Sequence, residues 1–209
     1  MCRRLAGCTG GTRVLCLLWS SHLVAGRELL LIGLVSAAAL LLAVAGLAKL
    51  RRRSPLRSAL SAAGIPGADR LDPSTANRLS GAVELAIAAV ALAAGGRIAA
   101  GLIALAYLVL AGLSARMVRR EAGQDCGCFA RPVAVSHWHT AVNAGCALAG
   151  LAALIWPGGS LSGEFGRQPA TAAALLLGAA VLAYLGYLLM TAFPELLAAT
   201  GPLAPEAAG

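Results

Sequence analysis

The chain has 209 residues, of which 59% are hydrophobic and only 12% charged, with a mean hydropathy of +0.79 and a formal net charge of +8. Soluble domains carry about 25% charged residues, so this composition excludes an ordinary soluble domain. The basic residues flank long apolar runs, which indicates membrane orientation and contact with anionic headgroups rather than nucleic-acid binding. The expected partner of most of the surface is therefore a lipid bilayer.

The first apolar run, Leu29 to Ala48, contains twenty residues without a charge. As a helix it would span about 30 Å, the thickness of the hydrocarbon core of a bilayer. Residues 1–28 before it carry only a short, interrupted apolar stretch, and we expect a disordered or interfacial segment there. The polar connection 50–72 follows, with a short interfacial helix predicted over Leu56–Ala63.

The next two spans form a helical hairpin. Asp72 before Pro73 is typical of a helix N-cap followed by proline at the first helical position, which predicts a helix from Pro73 to Ala94. A tight turn at residues 95–97 separates it from a third span, Ile98 to Val118.

The polar connection 119–135 leads to a fourth helix, Trp138 to Trp156, which Ser136 can cap and whose terminal tryptophans suit the two bilayer interfaces. A loop and a fifth helix, Ala170 to Phe193, complete the predicted spans. The sequence thus predicts an all-α integral membrane protein with a four-helix transmembrane core and a fifth C-terminal transmembrane helix. The predicted domains are the segment 1–28, the core 29–156, the loop and fifth helix 157–193, and a disordered tail 194–209.

The distribution of Lys and Arg predicts which side each connection faces. With five spans, connections one and three and the C-terminus carry eleven of the seventeen basic residues, and the other side carries six. The positive-inside rule therefore places the connection 119–135 in the cytoplasm.

Cys126 and Cys128, separated by Gly127, are the sharpest chemical feature of the chain. Two thiols one residue apart close only a small, strained disulfide ring, and strain makes a disulfide easy to exchange. Three neighbouring arginines favour the thiolate, although Asp125 opposes them. The residues alone leave three roles open for this cysteine pair: redox activity, a structural role as a static disulfide or as free surface thiols, and metal binding.

The metal interpretation adds His137 and His139 to Cys126 and Cys128. Zinc sites usually separate paired cysteines by two to four residues, so a spacing of one is too short for the common pattern, while a soft metal such as Cu(I) remains compatible. The two histidines lie about 200° apart on a helix, so only one can share a face with the cysteines.

Polar residues also occur inside the apolar runs. His139, Asn143 and Cys146 follow the i, i+4, i+7 spacing of one helix face and form either a relay toward an electron acceptor such as a quinone or a set of interhelical hydrogen bonds. Glu84 is the only carboxylate within an apolar run, with Lys49 or Arg78 as its candidate partner. It predicts either a structural ion pair or a proton-handling site.

These residues resemble the MauE branch of the DoxX-like membrane proteins. The resemblance rests on three features: the stretch Ala-Gly-Leu-Ala-Lys-Leu at 45–50, Glu84, and the stretch Asp-Cys-Gly-Cys-Phe at 125–129 before a helix with His139 and Asn143. It covers residues 29–156. The resemblance implies a four-helix membrane core and a role in oxidising or maturing the disulfide-rich small subunit of methylamine dehydrogenase.

By this resemblance Cys126 and Cys128 form the redox pair, and Lys49, Glu84 and Asn143 match family positions. The leading hypothesis is a component of thiol–disulfide exchange, of the oxidoreductase class, in the bacterial inner membrane with a thiol-containing protein partner. A non-enzymatic assembly factor or metal-binding membrane protein is the second hypothesis, and a small-solute transporter using Glu84 is the third.

Overall fold

The computed structural model describes residues 10–51, 56–67, 70, 72–120 and 135–200, with side chains from residue 26 onward except those of 57 and 198–200. These residues form eight α-helices and no strand. The helices are α1 Gly10–Arg51, α2 Leu56–Ala62, α3 Pro73–Ala93, α4 Gly96–Arg119, α5 His137–Ile155, α6 Leu161–Arg167, α7 Pro169–Thr191 and α8 Phe193–Thr200.

Five of the helices are long and apolar enough to cross a membrane: residues 26–51 of α1, and α3, α4, α5 and α7. They contain 19 to 26 residues each, which suits a hydrocarbon core about 30 Å thick. The predicted fold class, an all-α membrane protein with five spans, is confirmed. The backbone of α1 is helical from Gly10, well before the predicted start of the first span.

The start of α3 follows the predicted capping pattern. Asp72 accepts hydrogen bonds from the Ser74 hydroxyl at 2.7 Å and from the Thr75 backbone N–H at 2.8 Å. These bonds, the Ser74 bond foremost, lower the pKa of Asp72 to about 2, since they stabilise the charged carboxylate. A tight turn with positive φ at Gly95 and Gly96 then reverses the chain into α4.

Helix α1 is the centre of the bundle. It packs against α3, α5 and α7, while α4 packs mainly against α5. In the apolar window of α1, 61% of the residues are buried, against 17% in α7. Helix α7 therefore presents most of its surface to lipid, and α1 presents little.

Two close helix crossings are made possible by glycine. A Cβ atom on Gly46 of α1 would lie 2.7 Å from the carbonyl oxygen of Gly81 in α3, and the reverse distance is also 2.7 Å. At Gly150 of α5 a Cβ would lie 2.7 Å from the backbone nitrogen of Ala104 in α4. Small residues let membrane helices approach in this way, and the first crossing brings α1 and α3 together where their polar residues lie.

The polypeptide between α5 and α7 differs from the prediction of a loop. Helix α6 forms there because Ser160 accepts a hydrogen bond from the Gly163 N–H at 3.0 Å, and its Glu164 forms an ion pair with Arg167. Helix α8, Phe193–Thr200, covers residues 194–200 of the predicted tail, and residues 201–209 lie outside the described part of the chain.

Successive spans must alternate in direction across a membrane. Helix α1 therefore ends, α3 begins, α4 ends and α5 begins at one end of the bundle, which we call the cysteine end because the connection 119–135 leaves from it. The same alternation brings the C-terminal end of α7 to this side.

Candidate functional site

The predicted redox residues Cys126 and Cys128 lie outside the described residues. The structure does describe the two ends of their connection, where α4 ends at Arg119 and α5 begins at His137. Both belong to the cysteine end of the bundle. The assignment of Cys126 and Cys128 as the chemical site stays a prediction.

Beneath this end, Lys49 of α1 and Glu84 of α3 form a buried ion pair. Lys49 Nζ contacts Glu84 Oε1, and it also donates to the Ser80 hydroxyl at 3.3 Å. Only 3% of the lysine side chain and 10% of the glutamate side chain are exposed. Of the two partners that the sequence allowed for Glu84, the structure selects Lys49, whereas Arg78 is exposed.

The position of the pair follows from the glycine crossing. Lys49 lies three residues after Gly46, and Glu84 lies three residues after Gly81. Because α1 and α3 are antiparallel, each charged residue lies opposite the glycine of the other helix: a Cβ on Gly46 would lie 3.1 Å from Glu84 Cβ, and a Cβ on Gly81 would lie 3.2 Å from Lys49 Cβ. The ion pair is therefore a consequence of the α1–α3 crossing.

The polar face predicted on α5 is turned into the bundle. His139 and Asn143 are 1% and 4% exposed, and Cys146 is half-buried one turn further along, where its thiol hydrogen-bonds Tyr107. His137 is exposed. The predicted sharing of one face by His139, Asn143 and Cys146 is thus found in the structure, as is the opposite orientation of His137.

His139 takes part in capping its own helix. Its Nδ1 lies 3.2 Å from the Ser136 backbone nitrogen, which donates to it, and 3.1 Å from the Ser136 hydroxyl. Because the Ser136 N–H donates to Nδ1, this ring nitrogen must be the unprotonated acceptor. The ring proton of neutral His139 therefore lies on Nε2. Nδ1 is therefore already engaged and is not available as a metal ligand without breaking the cap.

One small cavity connects the ion pair to α5. It is lined by Lys49, Glu84 and Asn143, by Tyr107 of α4, by Met190 of α7 and by apolar residues of α1 and α4. It has room for about one water molecule. Three of the predicted intramembrane residues thus meet in one place, whereas His139 and Cys146 do not line this cavity.

One polar group at this cavity lacks a protein partner. Glu84 Oε2 is buried and has no hydrogen-bond partner. The Asn143 side chain of α5 lines the same cavity and is 4% exposed. Unsatisfied buried polar groups are rare in proteins because each costs about 1–3 kcal/mol.

Neither Tyr107 nor Met190, which both line the cavity, was singled out from the sequence. Tyr107 is 2% exposed and belongs to the main apolar core, and its hydroxyl donates to the Ala38 carbonyl at 2.7 Å. The only signal in the sequence was a single hydroxyl-bearing aromatic in an apolar span. Met190 carried no signal at all.

The described residues hold no group of three or more His, Cys, Asp or Glu side chains that could bind a metal. Since His137 is exposed and His139 is buried with Nδ1 engaged, the two histidines do not converge on a common ligand. The alternative metal site with Cys126 and Cys128 lies partly outside the described residues and stays a prediction.

The comparison with family models identifies the family. The model of Methylamine utilisation protein MauE matches residues 27–157, more than half of the chain. The chain belongs to the MauE family. The match runs from the first span through the fourth, which agrees with the predicted four-helix core, and α7 lies beyond it.

This assignment and the five spans make the chain a multi-pass membrane protein of the methylamine utilisation group. The relation of the family to the wider DoxX-like proteins stays a prediction. No match was found among curated proteins or solved structures.

Proposed function

We propose that the protein is a thiol–disulfide exchange component of the bacterial inner membrane, with Cys126 and Cys128 as its redox pair. It assists the maturation of an exported, disulfide-containing protein used in methylamine metabolism. The observation that carries the proposal is the Cys-Gly-Cys sequence at 126–128, in the connection between the third and fourth spans of a MauE-family chain.

The reaction can be written with its electrons balanced. A thiolate of the partner protein attacks one sulfur of the Cys126–Cys128 disulfide, forming a mixed disulfide and releasing the other cysteine as a thiolate. A second partner thiolate attacks the mixed disulfide, which leaves the partner oxidised and the Cys126–Cys128 pair reduced by two electrons. An acceptor of the quinone class then takes two electrons and two protons from the pair.

The cavity lined by Lys49, Glu84 and Asn143 is too small for a quinone. Its volume suits about one water molecule, whereas sites for organic ligands are usually 300–1,000 Å³. The proposal has the acceptor meet the pair at the cysteine end of the bundle.

Maturation of an exported protein needs the pair on the oxidising side of the membrane, because disulfides persist outside the cytosol. The distribution of basic residues predicts the opposite side. The proposal takes the outer location, and an accessibility measurement decides between the two.

The transporter hypothesis is disfavoured by the ion pair. Glu84 is neutralised by Lys49 within a tight helix crossing, and the lining residues leave space for about one water molecule. A continuous pathway for a solute would require α1 and α3 to separate at this crossing.

The proposal is tested by trapping the mixed disulfide. Thiol–disulfide exchange is reversible, so the one thiol left in a Cys126→Ser or Cys128→Ser variant attacks the disulfide of the oxidised partner and forms the mixed disulfide. The second cysteine that would resolve this intermediate is missing, so at least one of the two variants should accumulate a covalent adduct that a reductant removes. The adduct should vanish in the Cys126→Ser/Cys128→Ser double variant. A Cys146→Ser change in each background serves as the matched control and should leave the adduct unchanged, because that thiol is half-buried in the bundle.

An adduct that survives in the double variant, or its absence from both single variants, would refute exchange at this pair. In a transporter, by contrast, Glu84→Gln would abolish activity and the cysteine variants would retain it.

A further inference from the structure

We propose that the cavity between Lys49, Glu84 and Asn143 is a binding site for one water molecule, which bridges the Asn143 amide and Glu84 Oε2. This inference concerns the interior of the bundle and does not depend on the proposed thiol chemistry.

The polar groups at the cavity need such a ligand. Lys49 already satisfies Glu84 Oε1, while Oε2 is buried without a hydrogen bond. A carboxylate oxygen can only accept hydrogen bonds, so the missing ligand must be a donor. Inside a membrane bundle no bulk water is available to donate this hydrogen bond, so an unsatisfied carboxylate oxygen is costly there.

The Asn143 amide supplies the second contact. It lies on α5 and lines the same cavity as Glu84 of α3, and it is 4% exposed. An amide can both donate through its nitrogen and accept through its oxygen. A ligand that donates to Oε2 and accepts from the amide nitrogen would satisfy both residues at once.

Charge and size select the kind of ligand. The ammonium of Lys49 and the carboxylate of Glu84 cancel each other, so a bound ion would add an uncompensated charge in a low-dielectric interior. The other polar side chains that line the cavity, Asn143 and Tyr107, are neutral, as is Ser80 beside the pair. With room for about one water-sized molecule and polar groups on both sides, the site meets the conditions under which buried water is retained.

A bridging water would connect three spans. The ion pair already joins α1 to α3, and the water would join α5, the helix that follows the cysteine connection, to the same network. The polar residues 49, 84 and 143 would then form one continuous hydrogen-bonded unit.

The chain offers a selective probe, because Asn77 and Asn143 are its only asparagines. Full-length protein labelled with ¹⁵N-asparagine, in nanodiscs of phosphatidylcholine, should give two side-chain amide signals, and loss of one in Asn143→Leu assigns them. We expect a dipolar cross-peak between the Asn143 amide protons and water. In a Lys49→Met/Glu84→Leu double variant, whose interior carries no unpaired charge, this cross-peak should fall at least about tenfold, with the Asn77 signal as the folding reference.

Three results of the cross-peak measurement would overturn the inference. They are a cross-peak from Asn143 to lipid acyl protons in place of water, no water cross-peak in the wild type, and a water cross-peak of full intensity in the double variant. A saturable shift of the Asn143 signal on titration with sodium or chloride would likewise overturn the neutral ligand. None of these measurements involves Cys126 or Cys128, so the result is separate from that of the disulfide-trapping experiment.

Discussion

Removing one charge of the buried ion pair should destabilise the protein far more than removing both. In Glu84→Gln the Lys49 ammonium, only 3% exposed, loses the carboxylate that compensates its charge. Leaving one partner of a buried pair uncompensated costs about 3–5 kcal/mol, which lowers the folding equilibrium constant by about two to four orders of magnitude. In Lys49→Met/Glu84→Leu no charge is left unpaired, and such replacements are often neutral or stabilising.

The assay is reversible unfolding in mixed micelles, followed by circular dichroism, with the free energy of unfolding extrapolated to the absence of denaturant. The matched control is Glu164→Gln, which makes the same change in the other ion pair of the described residues. The Arg167 side chain left without its partner is 68% exposed and stays hydrated, so this loss should cost no more than about 1 kcal/mol.

The reasoning would fail if Glu84→Gln cost as little as Glu164→Gln. It would also fail if the double variant were as unstable as the single one, because the cost would then come from packing at the crossing and not from an uncompensated charge.

The remaining predictions concern packing, capping and a core hydrogen bond, all measured by the same unfolding assay. Gly46→Ala should cost about 1–3 kcal/mol through overpacking, because the new Cβ would meet the Gly81 carbonyl at 2.7 Å. The control Gly112→Ala, where a new Cβ meets nothing within 4 Å, should not destabilise the protein. Equal effects of the two changes would contradict the close contact between α1 and α3. Asp72 has a pKa lowered to about 2 from 3.8, so its contribution to stability is present above pH about 4 and is lost as the pH falls toward 2. Asp72→Ala should therefore destabilise the protein at neutral pH, with a difference that shrinks over that acid range; a pH-independent difference would refute the assignment. Tyr107→Phe should cost about 1 kcal/mol by removing the 2.7 Å hydrogen bond to an α1 carbonyl, and an unchanged stability would show that this bond contributes nothing.

The sequence predicted the spans well because the bilayer imposes a simple rule. Apolar runs of about twenty residues bounded by charges, caps or proline define spans without knowledge of their partners, and the four spans α3, α4, α5 and α7 begin and end within about two residues of the predicted positions. The sequence did not predict that α1 begins at Gly10, because hydropathy detects where a helix enters lipid and not where the helix itself begins.

The interior site was only partly predictable. Spacing along one helix predicted the inward face of His139 and Asn143, since that requires only the helical period. The choice of Lys49 over Arg78 as the partner of Glu84 depended on the Gly46–Gly81 crossing, which is a relation between two helices. The cavity is lined by residues from five helices, and no local pattern in the sequence shows how five helices pack together.

The most direct test of the proposed function is the accessibility and redox state of Cys126 and Cys128 in intact cells. A variant with the other four cysteines changed to Ser leaves only this pair, and a fully cysteine-free variant gives the background. A membrane-impermeant alkylating reagent is compared with a permeant one, before and after reduction. The proposal predicts labelling by the impermeant reagent only after reduction, which means an oxidised pair on the outer side. Labelling by the permeant reagent alone, without reduction, would mean free thiols in the cytoplasm and would contradict it.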